Sequence, residues 1–252
     1  MKLLIYLSYC GKDFCGYQVQ PELRTVQGEL CRAAEEIFGF ECDVTGCSRT
    51  DRGVHANMFC ATVTKKDTEN LETHIKINKI PDAFCAHLPP DVAVFDAEWK
   101  DEEFHPRYDV EYKEYIYRIY NRRRRDPFEE GRSLHYPRAI SDIALGNMQK
   151  AAGELVGKYD FSAFMAQGSK VESTVRDIKY ATVEKNGDVI TFRVAADGFL
   201  YNMVRILAGT LLAVSEGKIS PDEIKDIIES RDRSRAGMTA PAWGLYLNKV
   251  QY

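Results

Sequence analysis

Gly46-Cys47-Ser48-Arg49-Thr50-Asp51-Arg52-Gly53-Val54-His55-Ala56 sets one carboxylate between two arginines and brackets it with two glycines. A short apolar alternation, Cys42 to Thr45, precedes the segment, and a longer β-rich run, Met58 to Thr64, follows it. The segment therefore reads as a loop joining two strands rather than as the interior of a helix. Glycine at each end permits a tight excursion that holds a side chain at a fixed angle. The flanking cations favour the ionised carboxylate, the form that a nucleophile or charge stabiliser needs. The same residues also suit a salt-bridged surface turn, and both readings stand on local pattern alone.

Outward from this loop, β-rich runs recur at Leu3 to Ser8, Val92 to Glu98, Tyr115 to Tyr120, Tyr180 to Glu184, Val189 to Val194 and Leu245 to Val250. Helical patterns lie between them. Thr25 can cap a helix with Val26, Leu30, Ala34 and Ile37 on one face, and Ser141 can cap another through Ile143, Met148, Ala152 and Leu155. A third apolar helix spans about Tyr201 to Val214, and Pro221 opens a shorter, charged one ending near Ser230. Asn186-Gly187 between two β-rich runs is the clearest hairpin turn. Hairpins beside long helices predict an α+β fold with helices on one face of the sheets, not a doubly wound parallel sheet. The alternation falls into two blocks, 1–105 with the Asp51 loop and 106–252 opening on an arginine-rich segment. No low-complexity linker parts them, so one continuous structure with a cleft between its halves is expected.

Composition excludes several classes. Hydrophobic residues are 44% and charged residues 29% of the 252, which places the chain among globular proteins and outside disordered or fibrous ones. No apolar run approaches the roughly 20 residues that span a bilayer, and Lys12 and Asp13 arrive before any signal-peptide core can form, so a cytoplasmic protein with no membrane partner is expected. The seven cysteines, Cys10 to Cys85, are odd in number and lack the tight C-x2-C knuckle of zinc sites, so reduced, buried thiols and no metal are expected. A net charge of −4 argues against nucleic-acid binding by bulk charge. Yet Lys and Arg outnumber acids between Arg107 and Arg138, and Arg122, Arg123, Arg124 and Arg125 follow a β-rich run, on a connection where phosphates can reach them or where they serve solubility.

Ser48 to Ala56, SRTDRGVHA, resembles the GRTDxGVHA signature of the tRNA pseudouridine synthase A family. The resemblance extends in order along the whole chain. Tyr9 to Gln18 is similar to the family's YDGxxFxGWQ opening, Leu88 to Val92 to LPxDV, Phe104 to Tyr108 to FHARF, and Lys113 to Tyr117 to KxYxY. Asp160 to Phe164 is similar to DFxxF, Phe199 to Arg205 to FLxxMVR, and Ala236 to Leu245 to AGxTAPAxGL.

This resemblance implies an isomerase that converts uridine to pseudouridine on the 3′ side of the anticodon stem-loop of tRNA, with no cofactor. Asp51 would be the essential catalytic residue, acting as nucleophile or as a base at the ribose. Tyr115 would stack on the uracil, Arg205 would pair with Asp51, Leu245 would supply an apolar wall, and Arg49 would contact substrate. Arg52 and the run Arg122 to Arg125 would meet tRNA phosphates, and His55 would support the loop rather than act as a base. The implied architecture is two RNA-recognition-like or ferredoxin-like halves side by side, in a homodimer that grips tRNA. Cys10, Tyr17, Ser48 and Arg52 stand where the family usually has Asp, Trp, Gly and Ala. Ser48 and Arg52 flank Asp51, which leaves a retargeted or catalytically impaired RNA-binding paralogue as the alternative.

Overall fold

The structure, a computed structural model, describes residues 1–168 and 171–252. From the N-terminus run β1 (Lys2–Tyr9), α1 (Val26–Phe38), β2 (Cys42–Gly46), β3 (His55–Lys65), α2 (Ile80–His87) and β4 (Val92–Lys100). There follow β5 (Tyr112–Tyr120), β6 (Leu134–His135), α3 (Asp142–Gly153), β7 (Gly157–Asp160), β8 (Val175–Asn186), β9 (Val189–Ala196), α4 (Met203–Ser215), α5 (Glu223–Ser230) and β10 (Leu245–Gln251). The class is α+β. Contacts divide the chain into two compact units, Met1–Glu111 with Tyr246–Tyr252, and Tyr112–Leu245.

In the first unit the strands lie β4-β1-β3-β2, each pair antiparallel, and β10 adds parallel to β3. One edge of β3 is thus shared: Ala61 to Lys65 pair with β2, while His55 and Ala56 pair with Tyr246 and Leu247. Alternation along paired strands puts Leu3 opposite Val63, Ile5 opposite Ala61 and Leu7 opposite Phe59, all fully buried. Helix α1 packs on β2 and α2 on β4. Thr25 begins α1 with its hydroxyl accepting from the Gly28 amide at 3.3 Å, and Gly39 ends it in the left-handed region at φ 77°. Val26, Leu30, Ala33 and Ala34 form the buried stripe.

The polypeptide between residues 101 and 111 stays with the first unit, beyond the boundary expected at 105/106, and the chain's end returns to it. Tyr252 explains both: its ring packs edge-on against Phe104 at 5.0 Å and its hydroxyl donates to the Pro106 carbonyl at 2.8 Å. The Glu111 amide adds a bond to the Gln251 carbonyl at 2.8 Å.

In the second unit the strands lie β6-β5-β9-β8-β7, with β5 and β6 parallel and the others antiparallel. Helices α3 and α4 pack on each other, α3 also on β8 and α4 on β5. Ser141 caps α3 as the sequence predicts, accepting from the Ala144 amide at 3.2 Å. Ile143, however, is 80% exposed while Met148, Ala151 and Ala152 are buried. Five residues of α-helix turn through about 500°, which leaves Ile143 roughly 140° away from the Met148 stripe. Helix α4 is buried nearly all round, from Met203 to Val214, as its largely apolar composition requires. The hairpin between β8 and β9 pairs Asn186 with Val189, so its two loop residues are Gly187 and Asp188, one position later than expected. Gly187 carries the positive φ, 58°, that such a turn demands.

Candidate active site

Asp51 sits in the loop between β2 and β3, and that loop is fastened from below by small, buried groups. The Thr50 hydroxyl is 2.7 Å from the Tyr9 hydroxyl in a buried bond, and the Thr50 carbonyl accepts from the Tyr17 amide at 3.1 Å. The Val54 amide closes a turn onto the Asp51 carbonyl at 3.1 Å, with Gly53 at φ 80° inside it. At the loop's start, the Cys47 amide donates to the Cys60 carbonyl at 2.8 Å. Buried Thr50 and Val54 therefore anchor the backbone while Asp51 between them stays partly open and Arg49 and Arg52 are exposed.

The chain's opening segment forms the bed of this loop. A Cβ on Gly11 would lie 1.9 Å from the Val54 carbonyl oxygen, and one on Gly16, at φ 91°, would lie 2.9 Å from the Thr50 carbonyl oxygen. Only glycine lets the two backbones approach so closely. The Gly11 amide donates to Nδ1 of His55 at 3.0 Å, and the His55 ring, 1% exposed, stacks on Tyr246 at 4.5 Å. Buried in this way, His55 supports the loop, as expected. Tyr17 stacks on Phe59 at 4.4 Å and presses on Gly46, where a Cβ would be 2.5 Å from the ring. Its hydroxyl is buried and has no hydrogen-bond partner among the described residues. Burial pushes this phenol well above its usual pKa. Sequence reading assigned no role to Tyr9, Gly11, Gly16 or Thr50; glycines recurring in the opening block were the only available sign.

Asp51, Arg49 and Arg52 belong to the first unit, and Tyr115, Arg205, Leu245 and Arg122 to Arg125 to the second. Tyr115 lies on β5, 8% exposed, with its ring edge-on to Phe199 at 5.1 Å. Two residues on, Tyr117 is fully buried and donates its hydroxyl to the Pro241 carbonyl at 2.8 Å. Burial holds the Tyr117 phenol well above its ordinary pKa, and the Arg205 guanidinium pulls it back only in part. Arg205, in the first turn of α4, donates from Nε to the Ala240 carbonyl at 2.7 Å and from Nη1 to Oδ1 of Asn202 at 2.7 Å. The Ala240 amide returns a bond to the Arg205 carbonyl at 3.0 Å.

The Ala236 to Gly244 loop is laid on α4 at the same time. A Cβ on Gly209 would meet the Met238 carbonyl oxygen at 1.8 Å, and the Gly237 amide donates to the Thr210 hydroxyl at 2.9 Å. The second unit thus brings Arg205, the loop ahead of Leu245 and the Tyr115–Tyr117 strand into one hydrogen-bonded cluster, with Leu245 7% exposed at the start of β10. Arg122 to Arg125 lie outside that cluster, all exposed just beyond β5, and Arg122 pairs with Asp188 at 3.2 Å.

All seven cysteines are free, and Cys42, Cys47 and Cys60 are buried whereas Cys85 is exposed. Among the described residues no group of three or more His, Cys, Asp or Glu is placed to hold a metal ion. Nor is any described helix long and apolar enough to cross a membrane.

A family model described as tRNA pseudouridine synthase matches residues 151–252. The chain is 42% identical over 99% of both chains to tRNA pseudouridine synthase A of Thermoanaerobacter sp. (strain X514). It is 41% identical to the Bacillus subtilis (strain 168) protein of the same name, covering 100% of this chain and 99% of that one, and 39% identical to the Clostridium acetobutylicum one over 98% and 97%. With identity at this level from end to end, the chain belongs to the tRNA pseudouridine synthase A family.

Proposed function

We propose that the protein isomerises uridine to pseudouridine in the anticodon stem-loop of tRNA, with the Asp51 carboxylate as its essential catalytic group. The reaction breaks the bond from uracil N1 to ribose C1′, turns the base, and joins C5 to C1′; N1 gains a proton and C5 gives one up. Stacked, paired uridine hides these atoms, so the nucleotide must be flipped out before a carboxylate can reach it. What supports Asp51 above all is the way its loop is held. Thr50 beside it and Val54 three residues on are both buried and bonded, so the carboxylate is presented by a rigid bed rather than by a mobile surface turn.

Asp51 attacks C1′ or the base, or removes a ribose proton. Arg205, already fixed by Ala240 and Asn202, holds the carboxylate ionised, Tyr115 stacks on the flipped uracil, and Leu245 walls the pocket. Arg49 and Arg52 contact the RNA beside the reacting nucleotide, and Arg122 to Arg125 meet phosphates further off. The chain needs no cofactor.

The order β-α-β-β-α-β and the strand order β4-β1-β3-β2 of the first unit support an RNA-recognition-like half, and β5-α3-β8-β9-α4 of the second supports another. Two chains join as a homodimer around tRNA, and the enzyme works in the cytoplasm.

Asp51→Asn keeps the shape of the side chain and removes its charge. Tritium release from C5-labelled uridine in tRNA should fall by about a thousandfold or more while the urea unfolding midpoint stays put. Turnover near that of the unmodified protein would sink the assignment of Asp51.

A further inference from the structure

A concavity opens in the first unit beside the end of β2. It encloses about 190 Å³, and its lining includes Tyr17, Gln18, Ser48, Arg49, His105 and Arg107. Ser48 and Arg49 come from the Asp51 loop itself. His105 and Arg107 come from the segment that Phe104, Pro106 and Tyr252 fasten to the same unit. Arg49, Arg107, His105, Ser48 and Gln18 thus line one small volume, and no acidic residue is among the described residues that line it. The nearest acid in the segment, Asp109, is turned onto the His105 amide at 2.8 Å.

The donor pattern is set by the backbone. Nδ1 of His105 accepts from the Arg107 amide at 3.1 Å, so in the neutral ring the proton lies on Nε2, where it can be donated outward. The back wall is rigid, because Tyr17 is wedged between Phe59 and Gly46. Tyr108, 74% exposed, stands at the rim with its ring against His105 at 4.3 Å. A cavity of this size, rich in donors and rimmed by an open aromatic ring, matches one phosphodiester with its sugar.

We infer that this cavity is a backbone clamp: it binds a phosphodiester of the RNA strand adjoining the uridine presented to Asp51, with Arg107 and His105 as its principal donors. The inference rests on the isomerase reading for its substrate, but it makes a separate claim about binding. Sharing Ser48 and Arg49 with the catalytic loop, the clamp fixes the register of the strand relative to Asp51.

The test is equilibrium binding of a labelled anticodon stem-loop RNA across a salt series, using the full chain, Arg107→Ala and Arg107→Lys. Arg107 is exposed, so both variants should fold as the parent does. Arg107→Ala should bind about tenfold more weakly and reduce the slope of log K against log salt by about 0.7 to 0.9. Arg107→Lys should restore the slope while recovering only part of the affinity, because a lysine cannot form the two-pronged contact. Arg107→Ala with the parent's affinity and slope would overturn the clamp, as would competition by inorganic phosphate that is equally strong against the parent and Arg107→Ala. If the unmodified protein releases no tritium yet binds RNA in an Arg107-dependent way, the isomerase reading fails and the clamp stands.

Discussion

The loops after β2 and after β5 both follow a strand and both carry arginines, yet the first is fastened to distant segments and the second mostly by its own local turns. Residues 47–54 are tied to distant segments, through the backbone by Tyr17 and Cys60, through the Thr50 hydroxyl by Tyr9, and by glycines at 11 and 16 that admit them to within contact distance. Residues 121–133 are held by the Asn121 amide on the Asp188 carbonyl at 2.7 Å, by local turns between Asp126 and Ser133, and by side chains. Arg118 grips Glu129 at 3.1 Å, the Asp126 carboxylate accepts from the Phe128 amide at 2.9 Å, and Arg122 to Arg125 and Phe128 stand in solvent. The difference teaches that positive charge and positional control are supplied by different parts of this chain. A carboxylate needs a fixed address, which buried backbone bonds provide; a phosphate contact tolerates a mobile one.

The sharpest way to break this contrast is Gly11→Ala. Its new methyl would have to occupy space 1.9 Å from a backbone oxygen, so the loop's bed must shift. A loss of about 3 kcal/mol or more in urea unfolding is expected, together with loss of turnover. Parental stability would mean that the loop is not seated as described. Tyr17→Phe probes the same bed more gently and in the other direction. It removes a buried hydroxyl that lacks a partner among the described residues, and should raise stability by about 1 kcal/mol. A fall in the unfolding midpoint would reveal a bond to that hydroxyl. Replacing Arg122 to Arg125 together by Gln should have the smallest effect on the fold, within about 0.5 kcal/mol, since the ion pair of Arg122 with Asp188 is exposed on both sides. RNA binding by that variant should nevertheless show a flatter salt dependence, and an unchanged slope would return these residues to solubility alone.

Much of the framework was legible because its signals are local. Thr25 and Ser141 announced two helix starts, and alternation located the longer strands to within a few residues. Helix α2 escaped notice because Ile80–His87 is too short to display a helical period and begins with a proline near its first turn. The hairpin after β8 was placed one residue early because Asn186-Gly187 and Gly187-Asp188 both suit a tight turn, and only register decides between them. What surrounds Asp51 was the least legible part. The Tyr9–Thr50 bond spans 41 residues, and no spacing within either segment points to the other. Arg205 reads as a lone charge in an apolar helix until the Ala240 carbonyl, 35 residues away, is seen to meet it.

The parallel pairing of β10 with β3 has a consequence for the order in which the protein can be made. Strands that run parallel need a long crossover, and here it runs from residue 66 to residue 244, through α2, β4 and nearly all of the second unit. While the chain is being synthesised, the first unit can assemble β1 to β4 early, but the edge of β3 at His55 and Ala56 stays open until Tyr246 and Leu247 have been made. Tyr246, which covers the His55 ring, is among them. The strand that leads out of the Asp51 loop is therefore completed late, so a nascent chain, or one truncated before Tyr246, carries an unpaired sheet edge beside Asp51.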